Sequence, residues 1–194
     1  MQKLLMPKSL ELVYALIGLL LTIGGTFVEA SIAGLSLKWG QDVVLFQSLG
    51  VSYQIGAVLL VGCLGGKNAA ALSQIAYLVL GLTGMPVFTK GGGFDYLREP
   101  SFGYLLGFIP GAWICGWLAF QASVRLEFLA LSCLGGLVVV HLVGLGFLGL
   151  SCGLDANLWV PAAMKYSLHP LPGQLAVVCA VSVLAFVLRQ LMFY

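Results

Sequence analysis

The sequence predicts an all-α polytopic membrane protein, a bundle of about six transmembrane helices forming one domain over residues 1–194. Three observations predict it: 60% of the residues are hydrophobic and only 8% charged, long apolar runs recur along the chain, and glycine, proline and charge concentrate between the runs. An ordinary soluble domain carries about 25% charged residues, and a chain with so few could not face water without large exposed apolar patches. Lipid as the solvent removes that difficulty, in keeping with a mean hydropathy of +1.05.

A helix needs about 20 apolar residues to cross the hydrocarbon core, and its backbone polar groups must be satisfied within the element. On that criterion the first crossing runs from Leu10 to Ala33 and the second from Val43 to Leu64. The third covers Ala69 to Phe88, the fourth Gly103 to Phe120, the fifth Phe128 to Leu150 and the last Gln174 to Phe193. The first run is longer than the short apolar core of a cleavable signal peptide, so Met1 is expected to begin the mature chain. The segment from Leu154 to Pro170 carries Asp155, Trp159, Pro161, Lys165 and His169 and is too short to cross, so it reads as an interfacial helix or a loop folded over the bundle.

The connections are unequal. Gly65 to Asn68 and Ala122 to Glu127 are short; Gly34 to Asp42, Lys90 to Phe102 and Ser151 to Gly173 are longer and, with six crossings, share one face. One end is elaborated and the other trimmed, as expected where function sits in loops carried by a rigid scaffold. Lys3, Lys8, Lys67, Arg125 and Arg189 fall on the trimmed side against Lys38, Lys90, Arg98 and Lys165 on the other, which places both termini in the cytoplasm.

Several functions are disfavoured. A net charge of +2 without any basic run gives no nucleic-acid footprint. Cys63, Cys115, Cys133, Cys152 and Cys179 lack the paired spacings of metal or redox motifs and read as small apolar packing residues, so no metal is expected. Nothing resembles a nucleophile with its base or a carboxylate pair, and the chain is not expected to be an enzyme. His141, deep in the fifth run, is a functional-site candidate as an ionisable side chain inside a span; with no second histidine or carboxylate beside it, a neutral structural role is preferred to a proton relay.

Small residues recur every fourth position at Gly18, Thr22, Thr26, Ala30 and Gly34, a stripe that lets another helix approach closely; docking of a second subunit and packing within the bundle both remain open for it. Gly103, Gly107 and Gly111 repeat the pattern on the fourth helix, where internal packing is expected. The link after the third helix holds Gly91, Gly92 and Gly93, then Phe94, Asp95, Tyr96, Leu97, Arg98 and Glu99. Glycines let a main chain approach a ligand, and aromatics interleaved with Arg and Asp can stack on a flat apolar molecule while pairing with its polar edge. A flexible, water-facing loop is the alternative.

Tyr77, Gly81, Gly84, Pro86, Val87 and Phe88, the glycines from Gly91, and Gly103, Tyr104, Leu105 and Gly107 together resemble the BioY family, the biotin-binding S components of energy-coupling-factor transporters. Phe46, Gln47, Ser48, Leu49 and Gly50, and Leu171, Pro172 and Gly173, extend the resemblance. Where the family follows Pro-Gly with an acidic residue and a lysine three positions later, this chain has Gln174 and Val177. The resemblance implies a biotin pocket at the outer end of the bundle. Phe88, Tyr96 and Tyr104 would line its apolar part, Gln47, Asp95 and Gln174 would address the ureido ring, and Arg98 or Lys90 the carboxylate. It also implies a coupling membrane subunit and ATP-binding cassette ATPases as partners, docking on Gly18, Thr22, Thr26 and Ala30, in a bacterial-type cell membrane. Biotin is then transported ligand, and no cofactor is expected. An S component for another vitamin, or a ligand-free scaffold, are the competing readings.

Overall fold

The computed structural model describes residues 7–38, 41–153 and 155–192, with the backbone alone over 32–38 and 41–46. Lys3, Leu154 and Phe193 lie outside the described residues. Helix α1 covers Lys8–Phe27, strands β1 and β2 cover Glu29–Lys38 and Gln41–Ser52, and helix α2 covers Gln54–Leu82. Helices α3 (Phe102–Ala119), α4 (Leu126–Ser151), α5 (Ala156–Ala163) and α6 (Leu171–Met192) follow. A tight turn at Phe94–Arg98 precedes α3, and a wide π-type turn at Met164–Leu168 continues α5.

The structure describes five helical stretches long and apolar enough to cross a membrane. One of them, α2, folds back on itself. Gly66 takes φ 74° and ψ −179°, which L side chains rarely adopt. Gln54 then meets Tyr77 with Nε2 2.9 Å from the phenol oxygen, although an unbroken helix would hold them about 35 Å apart at 1.5 Å per residue. The arms are residues 54–65 and 67–82, so six rods form the bundle as the sequence predicts. The tip is closed tightly: a Cβ on Gly116 of α3 would lie 2.6 Å from the Lys67 backbone nitrogen.

The first two predicted crossings need correction. Helix α1 stops at Phe27, and residues 43–52, expected to be helical, belong to β2. The strands pair antiparallel from Glu29 opposite Ser52 to Lys38 opposite Gln41, with an irregularity between Glu29 and Ser31. An apolar run does not distinguish a buried strand from a helix. Because a two-stranded ribbon has unpaired edges, it cannot stand exposed in hydrocarbon and belongs at the end with the long connections. Its base is built into the bundle: Tyr53 N donates to Val28 O at 3.0 Å, and a Cβ on Gly173 would collide with Leu49 O.

The two ends differ as the connection lengths predict. At the trimmed end Asn68 Nδ2 donates to Glu11 Oε1 at 3.1 Å, and Arg189 Nη1 donates to Ala119 O at 2.7 Å. These bonds gather the start of α1, the α2 reversal and the ends of α3 and α6.

The small-residue stripe of α1 faces inward. Thr22 and Ala30 have no exposure, Thr26 is buried, and a Cβ on Gly18 would lie 2.8 Å from Val61 Cγ1. Gly18, Thr22 and Thr26, expected among the docking residues, therefore form an internal seam against α2, and Ala30, also expected there, lies beyond the helix, buried at the start of β1; Gly34 falls where the backbone alone is described. Spacing shows that a helix has a small face, not what that face meets. The outward side of α1 is Leu12, Val13, Leu16, Ile17, Leu20 and Leu21, all exposed and suited to lipid. The α3 stripe packs internally as expected, a Cβ on Gly107 reaching 2.8 Å from Val140 O.

Candidate ligand-binding site

The long-connection end carries a cap, residues 83–101, fixed from below by one buried phenol. Tyr77 has no exposure. Its hydroxyl donates to Val87 O at 2.9 Å, accepts from Gln54 Nε2 and lies 3.2 Å from Thr26 Oγ1. Above it Phe88 packs edge-on to Tyr77 with centroids 5.3 Å apart and tilted against Tyr96 at 4.6 Å. Tyr96 meets Phe102 at 6.5 Å and Phe102 meets Phe147 at 5.9 Å, so the aromatic row stitches cap to bundle.

The glycine triplet serves this closure. Phe88 and Gly91 exchange backbone bonds of 2.9 and 3.0 Å, and Gly93 N donates to Gly81 O at 2.8 Å. Gly91 and Gly93 have φ of 103° and 102°, and a Cβ on Gly92 would overlap Met85 O. The segment is an ordered lid, not the flexible loop that the sequence left as an alternative. Lys90 Nζ pairs with Glu99 Oε2 at 2.6 Å across its outer surface, and this partner holds the Lys90 ammonium above its ordinary pKa.

A second polar centre joins four parts of the chain. Tyr104 of α3 lies 2.6 Å from Ser167 Oγ in the π-type turn, and Ser167 Oγ lies 3.1 Å from His141 Nδ1 on α4. His141 Nε2 lies 2.7 Å from Gln174 Oε1 on α6. A neutral imidazole satisfies all three contacts in one direction: Tyr104 O–H donates to Ser167, Ser167 to His141 Nδ1, and His141 Nε2–H to Gln174 Oε1. The Gln174 NH2 group meets no acceptor among the described residues and is free to donate. Beside this relay an open, almost wholly apolar hollow of about 590 Å³ runs between α4, α5 and α6, lined by His141, Ser167, Trp159, Leu145 and Leu171 among others. Small-ligand pockets span about 300–1,000 Å³.

Of the residues singled out in the sequence, Tyr104 and Gln174 are brought together in this relay. Phe88 and Tyr96 are buried within the cap. Gln47, Lys90, Asp95 and Arg98 are exposed, and among the described residues no hydrogen bond joins them to the relay. Ser167 was missed, and His141, weighed in the sequence as a structural residue or a proton relay, was not placed with the ligand-site candidates. The available signal for His141 was its place as an ionisable side chain inside a span; Ser167 carries none.

The fold and this centre define a multi-pass membrane bundle with a hydrogen-bonded polar site at one capped end. The chain belongs to the BioY family, whose model matches residues 8–193. It is 30% identical to an uncharacterized 21.2 kDa protein of Cyanophora paradoxa, with 95% of this chain and 97% of the relative covered. It is 29% identical to the biotin transporter BioY of Rhodobacter capsulatus, with 95% of each covered. Among solved structures it resembles the S component for biotin from an ECF-type ABC transporter, with a TM-score of 0.70 and 22% identity, covering 94% of this chain and 92% of that one.

Proposed function

We propose that the chain captures biotin at the capped end and moves it across the membrane as the S component of an energy-coupling-factor transporter. The observation that carries this reading is the relay through Tyr104, Ser167 and His141, which orients the Gln174 side chain and leaves its NH2 group to donate. The ureido oxygen of biotin is a strong acceptor that this group suits, and the thiophane ring and tail suit neighbouring apolar surface. Arg98, exposed at the end of the cap turn, is the candidate for the carboxylate; Lys90 already has Glu99 as partner. Asp95 and Gln47 remain candidates for the ureido N–H groups. In their buried positions Phe88 and Tyr96 act by shaping the cap. A charge-assisted hydrogen bond contributes about 1.5–3 kcal/mol, and nanomolar affinity requires about 12 kcal/mol, so two or three such contacts with apolar burial reach that range.

Uphill movement would draw on a coupling membrane subunit and two ATPases, with both termini of this chain on their cytoplasmic side. Binding of labelled biotin to the purified protein in nanodiscs tests the reading. Saturable binding displaced by unlabelled biotin and not by other vitamins is expected. Displacement by a different vitamin alone would shift the ligand, a reading favoured by Gln174 and Val177 standing where the family carries an acidic residue and a lysine; no saturable binding would reject the carrier role.

A further inference from the structure

Cys63 on the first arm of α2, Cys115 on α3 and Cys133 on α4 converge, although their spacing along the chain does not group them. All three have no exposure. Cys63 Sγ lies 3.7 Å from Cys115 Sγ and 3.5 Å from Cys133 Sγ, and the three sulfurs lie within 4.8 Å of one another. Glycines make the space: a Cβ on Gly136 would lie 2.9 Å from Cys115 Cβ, and one on Gly62 would lie 3.1 Å from Cys115 Sγ. With metal–sulfur bonds of about 2.3 Å, a trigonal ion spaces its ligands about 4.0 Å apart. The triangle is close to that size already.

We propose that Cys63, Cys115 and Cys133 form a binding site for one soft monovalent cation of the Cu(I) type, separate from the ligand site at the capped end. Thiolate ligands select soft ions such as Cu(I) and zinc. Closed zinc sites take four ligands, and among the described residues no further Cys, His or carboxylate joins these three. Charge balance agrees with a monovalent ion. Two thiols would release their protons to solvent on binding and the third would ligate as a neutral thiol, leaving Cu(I) with two thiolates at a net −1. The Arg189 guanidinium, buried at the adjoining end of α6 and close enough to Cys63 for their charges to interact, supplies the balancing +1. An uncompensated charge in the span would be costly.

The test uses the full chain in nanodiscs with Cys152→Ser and Cys179→Ser, so that only the cluster thiols remain. Titration with Cu(I) against a chromophoric Cu(I) chelator is expected to transfer about one ion per chain and to produce thiolate-to-copper ultraviolet absorption. Adding Cys133→Ala is expected to weaken retention about 10-fold or more, and Cys63→Ala should act alike. No transfer from the chelator to the parent protein would overturn the site, whatever the folding of the variants. Undiminished transfer to a chain carrying both Cys63→Ala and Cys133→Ala would overturn it equally.

Discussion

The cap over residues 83–101 and the wall made by α5 and its π-type turn close the same end of the bundle by different means. The cap is held by buried aromatics and by a phenol that donates to Val87 O and accepts from Gln54 Nε2, with Phe88 1% exposed. Within the described residues of the wall, Ala156–Ala163 and Met164–Leu168, none is buried; it is held through Ser167 and by Trp159 Nε1 donating to Leu145 O at 3.3 Å. Apolar burial fixes the cap, whereas a few directional bonds hold the wall. The difference teaches where stability and recognition separate: core substitutions in the cap should cost folding, and relay substitutions should cost ligand.

The largest expected effect is on the cap. Phe88→Ala removes the ring between Tyr77 and Tyr96 and should lower stability by about 3–5 kcal/mol, read as a fall in melting temperature in detergent, with biotin binding lost alongside. Gln174→Ala sharpens the contrast: biotin affinity should fall about 10- to 100-fold, the loss of one strong hydrogen bond, while the melting temperature stays within a few degrees. Next comes Arg98→Ala, expected to weaken binding about 10-fold, against Lys67→Ala at the opposite end, expected to leave it unchanged; equal affinities would remove Arg98 from the site.

The smallest effect concerns the Lys90–Glu99 pair. Glu99 raises the Lys90 pKa above its ordinary 10.5, so the pair's contribution is complete below the unfolded value and fades as pH rises through the higher folded one. Protease sensitivity of the cap should therefore increase slightly above about pH 10.5, and Glu99→Gln should abolish that dependence. Both groups reach solvent, so the contribution is small.

The membrane bundle was legible because long apolar runs admit few solutions in lipid, and the unequal connections gave away the elaborated end. The hairpin was not legible: residues 43–52 are apolar enough for either state, and pairing with β1 is a tertiary fact. Likewise the stripe at Gly18, Thr22 and Thr26 announced close packing without naming its partner, which the reversal at Gly66 brings alongside, while Ala30, continuing the same spacing, falls on β1. Tyr104 and Gln174 entered through family resemblance. Their connection through His141 and Ser167 depends on four segments meeting, which no spacing in one chain encodes, and the grouping of the three cysteines was hidden for the same reason.

The account rests on His141 orienting Gln174 toward biotin. Its most direct test is a double-mutant cycle measuring biotin affinity for His141→Ala, Gln174→Ala and the combined variant. Each single change should weaken binding about 10-fold or more, and the combined variant should bind little worse than Gln174→Ala alone, because coupled residues are not additive. Fully additive losses, or wild-type affinity in Gln174→Ala, would contradict it.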